Sequence, residues 1–269
     1  MNAKNDGSAP PAPGADQTGG EAAKDLAKVT STGTLLNPES PSQSIALMAE
    51  PGELAPQQLG ERRLIHRDAS VRKHSDAFRE IRTRLLELAG SHNFVTLLVS
   101  VSPRSGSSFV ARNLATAFAF DESKTSLLID CNLRYPDQHE ALGVDPSQGG
   151  LVDFLDHPSP GIKPMIYHTG IPRVRLIPAG TPRENGSEYF SSFRMRAVID
   201  SLRCRYPDRY IFLDGPSVKG SPDARILSEL ADFVVLVAGY GRDTPQAISQ
   251  AAANFDPQKL AGVVFNHTS

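Results

Sequence analysis

The chain has 269 residues, with 28 Lys and Arg against 30 Asp and Glu, a net charge of −2 and two cysteines. That length suits one α/β domain plus a tail, and the near-neutral balance excludes bulk nucleic-acid binding as the basis of function. No apolar run approaches the ~18 residues that a membrane span needs; the longest, FVTLLVSV and FVVLVAG, are the length of strands.

Residues 1–60 hold seven Pro, seven Gly and no aromatic residue. Such a segment cannot bury enough apolar surface to offset its ordering entropy, so a disordered tail is expected, with the folded domain at 61–269. Within the tail, SIALMAE (Ser44–Glu50) reads either as a short docking helix or as a slightly apolar linker. The N-terminus lacks a signal-peptide core. Cys131 and Cys204 lack metal-ligand spacing and read as reduced thiols, which suits a cytoplasmic protein recruited to a membrane, if at all, through a partner.

A basic bridge, ERRLIHRDASVRKH (61–74), leads into SDAFREIRTRLLELAG. Ser75 or Asp76 can cap a helix there. Phe78, Ile81, Leu85 and Leu88 recur at helical spacing as a core-facing stripe, Arg79, Arg82 and Arg84 lie on its flanks, and Gly90 ends it. Strands and helices then alternate. Strands are predicted at 94–101, 126–130, 174–178, 210–214, 233–238 and 261–266. Helices are predicted at 107–120, 187–205, 222–231 and 244–255, with a short one near 150–156. Continuous apolar strands with intervening helices indicate a mostly parallel sheet with helices on both faces. In such sheets ligands bind beyond the carboxyl ends of the strands.

Three strand ends therefore attract attention. The first is SPRSGSS (102–108), between an apolar strand and a helix. A phosphate loop works because backbone N–H groups and the helix dipole point at the anion, and Gly106 keeps that possible. Ser108 stands where a Mg²⁺-binding hydroxyl stands, but Ser107 replaces the lysine that ends such loops. Arg104 is the nearby cation that can substitute from the other side of the loop. The bland alternative is a turn that binds nothing. The second end, SLLIDCNLRYP, places Asp130 and Asn132 at a strand tip, and the third, RYIFLDGPSV, places Asp214. A carboxylate there suits Mg²⁺ or its coordinated water, or simply caps a turn. Asn266, at the tip of the last strand, can bond an adenine edge or act as a cap.

Taken together, these runs resemble the kinase domain of the bacterial tyrosine kinases. SPRSGSSFVARNLATAFA resembles their Walker A region, usually S-x-x-P-G-E-G-K-S with N-L-A downstream; Ser100, Pro103, Gly106, Ser108, Asn113, Leu114 and Ala115 match. LLIDCNLRYPDQH resembles the family's second acidic motif through Asp130, Leu133, Arg134, Pro136 and His139. YIFLDGPSV resembles the Walker B run, with Asp214 and Pro216 in register. GGLVDFL (149–155), Asp223 and the ADFVVLV strand also fall where the family has them. SDAFREIRTRL resembles the helix used for packing into rings. The resemblance covers about residues 75–269.

It implies a P-loop NTPase-like fold, ATP with Mg²⁺, and a homo-oligomer built through Asp76, Arg79 and Arg82. It also implies a partner: an inner-membrane polysaccharide co-polymerase that regulates chain length, or an active paralogue. Nucleotide contacts would come from Arg104, Gly106, Ser107, Ser108 and Asn266, Mg²⁺ ligation from Ser108, Asp130 and Asp214, and any residual catalysis from Asp130 and Asp214. The departures cluster. The lysine is Ser107, the loop acid is Ser105, the second acid of the Asp pair is Asn132 and the Walker B threonine is Gly215. The last tyrosine is Tyr240, so the acceptor cluster is not expected. Losing one positioned charge typically costs ~10²–10³ in rate. The expected function is a degenerate, weak or inactive kinase-like regulator of exopolysaccharide or capsule export, in which no cofactor at all is the alternative to ATP. An atypical active ATPase or autokinase, and a partitioning-type ATPase, are the rival readings.

Overall fold

Six of the predicted apolar runs form strands that lie side by side in one sheet, and all but the last, at the sheet edge, are buried on both faces. The computed structural model describes residue 1 and residues 52–68, 71–90, 92–158 and 161–267. The strands are β1 (Val95–Ser100), β2 (Thr125–Asp130), β3 (Tyr167–His168), β4 (Val174–Ile177), β5 (Arg209–Asp214), β6 (Phe233–Gly239) and β7 (Leu260–Asn266), in the order β3-β4-β2-β5-β1-β6-β7. All pairs are parallel except the short edge pair β3–β4.

Alternation along each strand sends side chains to opposite faces. On one face Val95, Leu97 and Val99 meet Met195, Ile199 and Leu202 of a helix at Phe193–Arg205. On the other, Leu98 meets Phe78 and Leu85 of the helix Arg72–Ala89 and Leu114 of the helix Ser107–Phe118. In chain order the helices are α1 (Pro56–Glu61), α2 (Arg72–Ala89), α3 (Ser107–Phe118), α4 (Gln138–Leu142), α5 (Leu151–Asp156), α6 (Ser187–Phe190), α7 (Phe193–Arg205), α8 (Asp223–Ser228) and α9 (Pro245–Ala252). The α2–α3 face is sealed by rings: Phe118, fully buried, packs on Phe94, Tyr210 and Phe212 at 4.7–5.8 Å between centroids.

Several boundaries differ from the sequence expectations. The boundary at residue 60 falls inside α1, and upstream of it the Leu54 N–H donates to the Gly170 carbonyl at 2.9 Å. The Ser44–Glu50 segment and residues 2–51 as a whole lie outside the described residues. Helix α2 starts at Arg72, so neither Ser75 nor Asp76 caps it; Ser75 is buried and its hydroxyl donates to the His66 carbonyl at 3.0 Å. Leu88 is 43% exposed, and Leu86 and Ala89 pack in its place. Ala89 lies eleven residues after Phe78, which is about 20° off three whole turns, whereas Leu88 has rotated well off the stripe. The single helix expected at 187–205 is two, because Ser192 adopts an extended backbone and its hydroxyl caps α7 by accepting the Met195 N–H at 3.1 Å. Cys131 is buried and Cys204 exposed, and both are free thiols. Among the described residues no helix is long and apolar enough to cross a membrane.

Candidate functional site

Strands β2, β5 and β1 are consecutive in the sheet, so the three strand ends singled out in the sequence lie next to one another. Asp130 and Asp214 are register partners. The loop that follows β1 turns through two left-handed residues, Arg104 (φ 66°) and Gly106 (φ 93°), before the Gly106 carbonyl accepts the Val110 N–H and α3 begins. Glycine takes that conformation without strain, and arginine does not.

This loop is held from the β6–α9 side. The Ser105 hydroxyl donates to Asp243 Oδ2 at 2.7 Å, and the Gly239 N–H donates to the same oxygen at 2.7 Å. Burial opposes ionisation of Asp243, but hydrogen bonds from Ser102, Ser105 and Gly239 outweigh it and hold the carboxyl below its usual range. Arg242 donates to the Arg104 carbonyl at 2.9 Å. Asn266 donates its side-chain amide to the Ser105 carbonyl at 3.0 Å, so this strand-tip residue braces the loop. Ser107, in the lysine position, is buried, with its hydroxyl 3.4 Å from the Ser100 hydroxyl at the end of β1.

The acids form a different kind of unit. Asp130 and Asp214 are both fully buried. Asp130 accepts the Asn132 N–H at 3.0 Å and the Gln138 N–H at 3.2 Å. Gln138, also fully buried, donates its side-chain amide to Asp214 Oδ2 at 2.6 Å and to the Ser108 carbonyl at 3.0 Å. Asp214 Oδ1 and Gln138 Oε1 are buried without a donor. Burial, reinforced by the charge of Asp214, pushes Asp130 well above the carboxylate range; burial pushes Asp214 up to about 7. Two adjacent carboxylates in a dry site do not both ionise unless a cation joins them. Gly215 leaves room that the tips of Leu97 and Val99 occupy.

Between loop and acids opens a cavity of about 810 Å³. Its wall contains Arg104, Gly106, Ser107 and Ser108 from the first strand end, Asn132 and Arg134 from the second, and Gly215 and Lys219 from the third. The acid pair lies one layer behind that wall. Asp76, Arg79 and Arg82 lie elsewhere, on α2: Arg79 pairs with Asp76 at 2.8 Å and Arg82 with Asp121 at 3.3 Å. Sequence reasoning missed three contributors. Gln138 and Asp243 gave no signal, since their partners are 76 and 138 residues away. Arg112, also in the wall, had one: it is the lone charge in α3.

The residues fit a magnesium-bound polyphosphate in chemistry. The donorless Asp214 oxygen beside Asp130, with Ser108 adjacent, is an oxygen set that suits a hard cation. The loop and the start of α3 offer backbone N–H groups to an anion.

No family model matches the chain. It is 32% identical over 194 residues to the tyrosine-protein kinase wzc of Salmonella typhimurium, a match that takes in 71% of this chain and 26% of that protein. It is 24% identical over 201 residues to the tyrosine-protein kinase CpsD of Streptococcus agalactiae, covering 74% and 84%. The crystal structure of the VpsO kinase domain superposes with a TM-score of 0.64 at 26% identity, covering 76% of this chain and all of that one. The chain thus spans about a quarter of wzc but most of CpsD.

Proposed function

Because this chain belongs to the bacterial tyrosine kinase family through its P-loop NTPase-like kinase domain, we propose that it is a regulatory member of an exopolysaccharide or capsule export system that transfers phosphate weakly or not at all. The observation that carries this reading is the loop. The position of the phosphate-reaching lysine is Ser107, a neutral side chain turned toward Ser100, and the loop acid is Ser105, which bonds Asp243 within the chain. Phosphoryl transfer depends on positioning and charge stabilisation. Without those charges, rate falls by ~10²–10³ for each lost contact.

Asp130, Asp214 and Ser108 are the groups that would hold Mg²⁺, and the loop N–H groups and Arg104 those that would face phosphate. Magnesium, when bound, neutralises charge on the phosphates. The chain's own contribution is to orient them over α3 and to keep water from the acid pair. The protein acts in this reading by binding: a membrane chain-length regulator, an active paralogue or further copies of itself, with the exposed Asp76–Arg79 face of α2 as the contact surface. Peripheral attachment to the inner membrane follows from such a partner. Incubation of the full chain with Mg-ATP, followed by phosphotyrosine detection, is expected to show no autophosphorylation. Robust tyrosine labelling would overturn the reading in favour of an atypical autokinase.

A further inference from the structure

Arg112 has a chemistry that nothing around it uses. It projects from α3, on the same helical face as Ser108, into the wall of the cavity. Its Nε and Nη1 are buried, and neither has a hydrogen-bond partner. Among the described residues it makes no ion pair within 4.0 Å, and its guanidinium lies 5.8 Å from the centre of the Phe109 ring. Burial lowers its pKa, while the charges of Asp137 and Asp214 favour its ionised form. The other arginines of the wall are differently placed: Arg134 is committed to Glu184 at 3.0 Å, and Arg104 is exposed on the loop. Arg112 Nε and Nη1 are thus enclosed without an acceptor, a costly arrangement by itself, while the residue as a whole is only partly buried and the part that lines the wall carries a charge with no ion-pair partner among the described residues, which a phosphate oxygen can meet.

We propose that Arg112 is the anion-binding residue of this cavity, standing in from the helix for the cation that the loop lacks, and that it grips a chain of two or three phosphates. The ligand class is a nucleoside di- or triphosphate or an inorganic polyphosphate. The cation stands five residues further along, about one and a half helical turns from the first residue of α3. There it neutralises a bound phosphate chain without reaching over its end, which suits recognition without transfer. The proposal rests on the reading of this cavity as a phosphate pocket, and is independent of whether tyrosine is phosphorylated.

The test is calorimetric titration of the full chain with ATP, ADP, tripolyphosphate and adenosine, each with and without Mg²⁺. Tripolyphosphate and ATP are expected to bind, and adenosine far more weakly. Arg112→Ala is expected to weaken both by about 10- to 100-fold, the loss of a charge-assisted contact, and Arg104→Ala by less. Arg112→Lys should retain most of the affinity. Arg112→Gln keeps the bulk of the side chain and should lose affinity like Arg112→Ala, which guards against a variant that fails to fold. If tripolyphosphate fails to bind the wild-type protein at millimolar concentration, the proposal falls. It falls equally if Arg112→Gln lowers the melting temperature of the free protein but leaves affinity unchanged, since Arg112 would then serve only to offset Asp137 and Asp214. Neither failure touches the phosphotyrosine assay, which judges the proposed function separately.

Discussion

On the β2–β5 side of the cavity two carboxylates lie wholly buried and are joined through Gln138, whose backbone N–H meets Asp130 and whose side-chain amide meets Asp214, whereas on the β1–α3 side the loop carries hydroxyls and a left-handed arginine, held from outside by Asp243, Arg242 and Asn266. The first side stores electrostatic free energy; the second stores backbone strain. Buried acids stay costly until a proton or a cation relieves them. A loop braced by its neighbours keeps its shape with no ligand at all. The cavity therefore keeps its form on one side and its unmet charge on the other, which is what the proposed reading of a phosphate pocket without a catalytic cation requires.

The largest expected effect tests the acid side. The folded-state pKa of Asp214 is raised from 3.8 to about 7. Its contribution is fully present below pH about 4, where both folded and unfolded states hold the proton, and is lost as pH rises through 7. Asp214→Asn should thus stabilise the protein at pH 8 by on the order of 4 kcal/mol and leave it unchanged near pH 4. Urea unfolding at the two pH values checks this, and equal effects at both would show that the acid is not strained. Next in size, Gln138→Leu strips the donor from Asp214 and from the Ser108 carbonyl, and should lower stability by about 2 kcal/mol; a neutral outcome would mean that the amide is not the bridge.

The loop side should respond less. Ser105→Ala removes one bond to Asp243, which keeps the Gly239 N–H, so a loss of about 1 kcal/mol is expected in thermal unfolding. Smallest of all, Arg104→Gly relieves the left-handed backbone and is expected to stabilise by about 0.5–1 kcal/mol, reduced by the extra freedom of glycine when unfolded. A clear loss in that variant would show that the guanidinium, and not the backbone, holds the loop.

The order of the elements, the parallel sheet and the three strand ends were legible from local pattern. Apolar strands of six or seven residues and the turn chemistry around Gly106 depend on neighbours in the chain, and so did Asp130, Asp214 and Ser108 as candidates. Helix ends were less legible: Ser192 splits one predicted helix because a cap competes with helix continuation, and Leu88 fell off the stripe because the period is 3.6 and not 3.5.

The sequence alone determined which residues stand at strand tips, since that follows from spacing along one chain. Only the tertiary structure decided what those residues meet. It set Gln138 against Asp214, Asp243 against Ser105 and Asn266 against the loop, and it placed Arg112 in the cavity wall with two enclosed nitrogens that have no partner. Such pairings span 76 to 161 residues; they are products of strand order and burial, which bring distant side chains into one low-dielectric space where polar atoms find partners.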